Sequence, residues 1–257
     1  MFSNRYPLFH KGRILKLEML ENLRDFPRDF LDLYFQDYSD GIIEGVEVAI
    51  EEDKLIITKG IVKHQNRLYL LLHNSVIPYS ATGKETILKI RFQEEMMELD
   101  FTRFTANIVL DELNEVASNE LELGRFKLKP GARLRSKHED FLDFATEYNT
   151  FNYIHCHYAG FQKSTYHPII LQYYARELLS NRPTNPYDIS FAFSCINEDR
   201  VQRETILYYV SNRLGLEFKE YTNVQIHKYL SRILLESSGK KHSSELTYGR
   251  SKRMIVD

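Results

Sequence analysis

Apolar residues recur at helical spacing near the start of the chain. From Ile14 to Tyr38, Leu17, Leu20, Leu23, Phe26, Phe30, Leu33 and Tyr34 follow one another at steps of three and four, interrupted by Pro27. Two short helices are expected, with Asp25 or Phe26 preceding the second and Pro27 in its first turn, where a missing N–H costs nothing. The period then changes to two. Ile43 to Ile50 alternates apolar with polar or small residues, as in a strand with one wet face. Lys54–Thr58, Ile61–His64 and Arg67–Leu72 repeat the pattern with spacers Glu51-Glu52-Asp53, Lys59-Gly60 and Gln65-Asn66, short enough for consecutive hairpins. Further strands are expected at Thr86–Phe92, Met97–Thr102, Phe104–Leu110 and Leu121–Leu128.

Beyond Lys129-Pro130-Gly131-Ala132 the pattern is helical again. Helices are expected over Glu139–Tyr148 and Pro168–Ser180, from Pro186 after Asn185, from about Glu198 to Leu214, and from about Asn223 to Ser238, with Gly215 and Gly239 placed to end the last two. The stretch Pro186–Cys195 is apolar nearly all round, which predicts a place in the middle of a small bundle. The fold class is therefore α+β: an N-terminal antiparallel β sandwich or open barrel preceded by short helices, then a small α-helical domain. The expected divisions are 1–135, 136–240 and a loose tail, 241–257. No βαβ alternation and no repeat of fixed period is present, which argues against doubly wound nucleotide-binding folds and solenoids.

Composition narrows the function classes. The chain has 257 residues and a formal net charge of -2, with charge balanced in both halves, so a nucleic-acid partner is not expected. The basic tail residues Lys240, Lys241, Arg250, Lys252 and Arg253 are too dispersed to change this. Two cysteines cannot build a disulfide framework, and the start lacks the long apolar stretch of a signal peptide; synthesis in the cytoplasm and no membrane insertion are expected. Seventeen Tyr without any Trp suit either a Tyr-rich core or an interface.

Candidate chemistry is thin. Ser80 to Thr86 resembles the end of a phosphate-binding loop, but Pro78 and Glu85 stand where the mechanism needs Gly and Ser or Thr. His155-Cys156-His157, with His167 and Cys195, offers zinc ligands or a Cys–His nucleophile. The two histidines follow each other too closely for the usual ligand pairs, and nothing specifies an oxyanion hole. The acidic groups Glu51-Glu52-Asp53, Glu94-Glu95 and Asp111-Glu112 fall at expected turns or strand ends, where solvation explains them.

The stretch Asp40-Gly41-Ile42-Ile43-Glu44-Gly45-Val46-Glu47-Val48, continuing through Ile57-Thr58-Lys59-Gly60-Ile61-Val62 to Arg67-Leu68-Tyr69, resembles the opening domain of phage-type tail baseplate and fibre-attachment proteins. Phe9 to Leu15 and the helix to Tyr38 are similar in layout to the baseplate adaptor of type VI secretion systems. The resemblance covers about residues 5 to 130. It departs near Asn66, where many relatives have another Gly, and the helical half matches no motif. It implies a non-enzymatic structural subunit of a contractile tail or injection apparatus, without a cofactor. Its partners would be other tail or baseplate proteins in a homo- or hetero-oligomer, assembled into a virion tail or injection particle. Partner-binding residues expected on this layout are Phe9, Arg13, Leu17, Leu20, Phe30 and Tyr34. The alternatives are a Cys/His or metal enzyme using His155, Cys156 and His157, and a nucleic-acid-processing protein.

Overall fold

The computed structural model describes residues 2–112 and 115–238. The fold is α+β, with antiparallel sheets first and helices after them. One helix, α1 (Leu17–Phe35), stands where two were expected. Pro27 lies inside it. An interior proline removes the donor for the Leu23 carbonyl, but α1 has no buried residue, so water can meet that carbonyl and the helix continues.

The strands are β1 (Gly41–Gly45), β2 (Val48–Glu51), β3 (Lys54–Ile57), β4 (Gly60–His64), β5 (Arg67–Leu71), β6 (Ser75–Pro78), β7 (Glu85–Phe92), β8 (Met96–Met97), β9 (Thr102–Arg103), β10 (Ala106–Asp111) and β11 (Glu120–Lys127). They form three three-stranded sheets, ordered β1-β4-β5, β2-β3-β6 and β10-β7-β11, and a small β8-β9 hairpin.

The alternating stretch Ile43–Ile50 is thus two strands in two sheets, not one. Gly45 and Val46 both have positive φ, 63° and 57°, and turn the chain from β1 into β2. Gly45 sits opposite Gly60 in the β1–β4 ladder, and a Cβ there would come within 2.1 Å of the Lys59 carbonyl, so the close crossing requires glycine. The hairpins β2–β3 and β4–β5 match expectation. Strands β3 and β4 do not pair with each other. Met97–Thr102 is a hairpin tip, closed by Glu98 N–H donating to the Phe101 carbonyl at 2.8 Å, and β6 answers to no expected strand.

The helices are α2 (Pro168–Ser180), α3 (Pro186–Asn197), α4 (Arg203–Leu214) and α5 (Asn223–Ser237). Their local signals are plain. Asn185 Oδ1 accepts from Tyr187 N–H at 2.9 Å, Thr222 and Gln225 form a capping box, and Gly215 ends α4 in the left-handed region, φ 64°. Gly239 and the expected tail 241–257 lie outside the described residues.

Two expected helices are shorter. Glu139–Tyr148 holds a single 3-10 turn, Leu142–Ala145, because carboxylates take the backbone donors: Asp143 accepts from Glu139 N–H and Asp140 from Asp143 N–H, both at 2.9 Å. Residues 198–202 leave the helical path because Val201 is buried and Arg200 Nη1 donates to the Ala159 carbonyl at 2.9 Å. Nor does α3 sit in the middle of the bundle, since Tyr187, Phe193 and Ile196 on its outer side are exposed.

A continuous apolar core joins the sheets to α2–α5. Residues between the two halves lie across the sheets: Arg125 and Asn152 exchange both backbone hydrogen bonds, and Ala159 N–H donates to the Ile42 carbonyl at 2.8 Å. Within the helices, Tyr174, Tyr209, Asp188 and Arg213 make a chain of polar contacts, with Asp188 Oδ1 accepting from Tyr209 Oη at 2.9 Å and from Arg213 Nε at 3.0 Å.

Candidate functional site

Helix α1 is amphipathic. Met19, Leu23, Phe26, Phe30, Leu33 and Tyr34 share one face by their steps of three and four. Glu18, Glu21, Asp25, Asp29 and Asp32 share the opposite face. Apolar stripes normally mark the side a helix buries, yet here Phe30 and Leu33 keep 59% and 66% of their surface exposed. Phe30 stacks on Tyr34 with ring centroids 6.0 Å apart, and Tyr34 meets Phe35 edge-on at 4.8 Å. The aromatic end of the stripe is therefore ordered by its own rings.

The flank of α1 carrying Arg28, Leu31 and Asp32 lines a groove of about 1020 Å³ shared with β5, β10 and the segment from Phe101 to Thr105 that contains β9. This turns the apolar stripe away from the sheets. At the other end, Phe9 and Arg13 line a hollow of about 360 Å³ with the first turns of α1.

Of the six residues expected to bind a partner, Phe30 and Tyr34 lie within the apolar face and Leu20 at its margin. Leu17 lies beyond it, on the flank of Arg24 and Arg28. Phe9 and Arg13 join the far hollow, and all six are solvent-exposed. Met19, Leu23, Phe26 and Leu33 complete the face, and the same helical spacing points to them. Electrostatics on the polar face are local: a hydrogen bond from Arg24 holds the Asp25 carboxyl below its ordinary range, and Arg5 approaches Glu18 at 3.6 Å.

Among the described residues, α1 is hydrogen-bonded to the body at its C-terminal end. Lys63 Nζ, on β4, donates to the backbone carbonyls of Phe35, Gln36 and Tyr38 at 2.5, 3.3 and 2.7 Å. Gln162 N–H donates to the Asp37 carbonyl at 2.7 Å, and Ser39 N–H to the Gly160 carbonyl at 2.9 Å. Nothing in the sequence signals the role of Lys63, because its partners lie 25 to 28 residues away.

The residues considered for chemistry are split between the core and a polar cleft. Cys156 is fully buried, and burial pushes its thiol well above the ordinary range, which disfavours the thiolate that nucleophilic attack needs. His155 and His157 instead line a polar cleft of about 660 Å³ with Asp40, His64, Glu122 and Arg125. Desolvation lowers the pKa of both rings, and His157 Nδ1 is 2.9 Å from Ser164 Oγ. Cys195 is buried in α3, where desolvation likewise raises its thiol pKa. His167 caps α2, its Nδ1 accepting from Ile169 N–H at 3.2 Å. Among the described residues, no group of three or more His, Cys, Asp or Glu is arranged to hold a metal ion.

No family model matches the chain, and no curated protein does. Among solved structures, a crystal structure of TssK aligns over 93% of this chain and 70% of its own, with 9% identity and a TM-score of 0.42. A chain of the type VI secretion system TssK-TssF-TssG baseplate subcomplex, seen by cryo-electron microscopy, aligns over 91% of this chain and 100% of its own, with 9% identity and a TM-score of 0.38. The likeness to these baseplate proteins is loose. Among the described residues, no helix is long and apolar enough to cross a membrane.

Proposed function

We propose that the chain is a non-enzymatic structural subunit of a contractile tail or injection-system baseplate, and that α1 and the segment before it attach it to a neighbouring protein of the assembly. The observation that carries this reading is α1 itself. A 19-residue amphipathic helix buries none of its residues within the chain, and such a stripe is stable in water chiefly when something covers it. An amphipathic helix laid in a partner's apolar groove uses anchors at this spacing. The acidic opposite face favours a partner with a basic rim. It disfavours an anionic lipid surface, because helices that bind one carry Lys and Arg on the polar face.

The resemblance of Asp40–Tyr69 to phage-type tail proteins supports placing the partner in a tail or baseplate. On this reading Phe9, Arg13, Leu20, Phe30 and Tyr34 contact the partner, Leu17 lies at the edge of the contact, and the helical half is presented to a further component. The full chain is to be co-purified with the proteins encoded beside it. Capture of a sheath, tube or wedge protein, abolished by Phe30→Asp with Tyr34→Asp while the melting temperature holds, is the expected result. Capture unaffected by those substitutions, or no capture by any neighbour, would overturn the reading.

A further inference from the structure

We infer that Lys63 is the positioning residue that fixes the direction in which α1 leaves the body of the protein. A helix ends with up to four carbonyls lacking partners and with the negative end of its dipole. The last turn of α1 supplies no cation to that end and carries Asp32 instead. The residue that follows it, Gln36, stays right-handed, so no left-handed cap closes the helix.

The missing charge comes from β4. Lys63 is 4% exposed, and its ammonium spends its donors on the carbonyls of Phe35, Gln36 and Tyr38. Among the described residues no carboxylate pairs with it. Burying an ammonium is costly unless polar atoms replace its water, so an apolar residue would suit the interior of β4 better unless the helix end needs the cation.

The neighbouring tethers act differently. Gln162 and Gly160 hold the chain at Asp37 and Ser39, beyond the helix, and constrain where it passes but not its angle. Among the described residues, Lys63 is the side chain of the body that hydrogen-bonds the last helical residue, Phe35, and its cap, Gln36. With no buried side chain to restrain it, α1 without Lys63 is a helix on a hinge at Gln36–Asp37. With Lys63 it is a held lever that presents Phe30 and Tyr34 in one direction.

The purpose of that lever rests on the docking reading, but its test needs no partner. Both native cysteines are buried, so spin labels can be directed to Glu21→Cys on α1 and Ala49→Cys on β2, both exposed. Pulsed electron-paramagnetic distance measurements on the full chain should give a single narrow distribution. In Lys63→Met that distribution should widen by about twofold or more, the mark of a swinging helix. Lys63→Gln, which keeps two N–H donors without the charge, should widen it less, and serves alone if Lys63→Met does not fold. A broad distribution in the unsubstituted protein overturns the inference. So does an unchanged width in whichever variant folds. Failure of the docking reading would show separately, as binding indifferent to Phe30 and Tyr34.

Discussion

Helices α1 and α5 are written in nearly the same pattern and meet opposite fates. Both carry an apolar stripe at steps of three and four, over 19 and 15 residues. In α5 the stripe of Ile226, Leu230, Ile233 and Leu234 is buried against the rest of the core. In α1 the corresponding stripe is exposed and meets none of the described core. Amphipathic spacing therefore announces that a helix will be covered, without saying by whom. The described residues cover α5, whereas the α1 stripe stays exposed, which is why the docking reading rests on it.

That contrast can be broken or sharpened by substitutions in the two regions. The largest effect is expected from Asp188→Ala in α3. It removes the acceptor of Tyr209 and leaves Arg213, 18% exposed, with Glu236 as its remaining carboxylate. Breaking a buried pair on one side costs about 3 kcal/mol or more, and chemical denaturation should register it. Comparable destabilisation from any α1 substitution would erase the distinction between the regions.

Next, Leu230→Ala in α5 empties a fully buried site and should cost about 2–5 kcal/mol. A cost below that range would mean that α5 packs more loosely than its burial indicates.

Acidity should act on the helical half in the same direction. Burial lowers the His227 ring to about 4 and His167 to about 3. Both are neutral in the fold and free to protonate once unfolded, so the unfolded chain binds more protons below the ordinary histidine pKa. Stability is full above about pH 6.5 and falls as the pH drops towards 4, by on the order of 3 kcal/mol for His227. Denaturant melts from pH 7 to pH 4 measure this, and His227→Gln should flatten part of the slope. A curve equally steep in that variant would place the effect elsewhere.

The smallest effect on stability is expected where the effect on binding is greatest. Phe30→Ala removes a large side chain that is 59% exposed and should shift stability by no more than about 0.5 kcal/mol. A larger loss would mean that the α1 stripe serves the fold of the isolated chain and is no attachment surface.

Much of the secondary structure was legible because its signals are local. Pro168 after His167, Pro186 after Asn185, and Gly215 after Leu214 mark ends that the helices observe, and the two hairpins follow their short spacers. The face of α1 was legible for the same reason, through Leu20, Phe30 and Tyr34. The failures are tertiary. Alternation across Ile43–Ile50 could not reveal that Gly45 and Val46 redirect the strand into a second sheet, and helical spacing across Glu139–Tyr148 could not reveal that carboxylates would claim the backbone donors. Cys156 stood out as a weak candidate because its adjacency to two histidines is visible in the sequence and its burial is not.

The sequence by itself determined most helix ends, the two short-spacer hairpins and the apolar side of α1, because these depend on residues a few positions apart. Only the tertiary structure decided that β1 pairs with β4, that the α1 stripe is left uncovered, and that Lys63 holds the end of α1 from 25 to 28 residues away. Those contacts join distant positions, and each depends on where the whole chain has already gone.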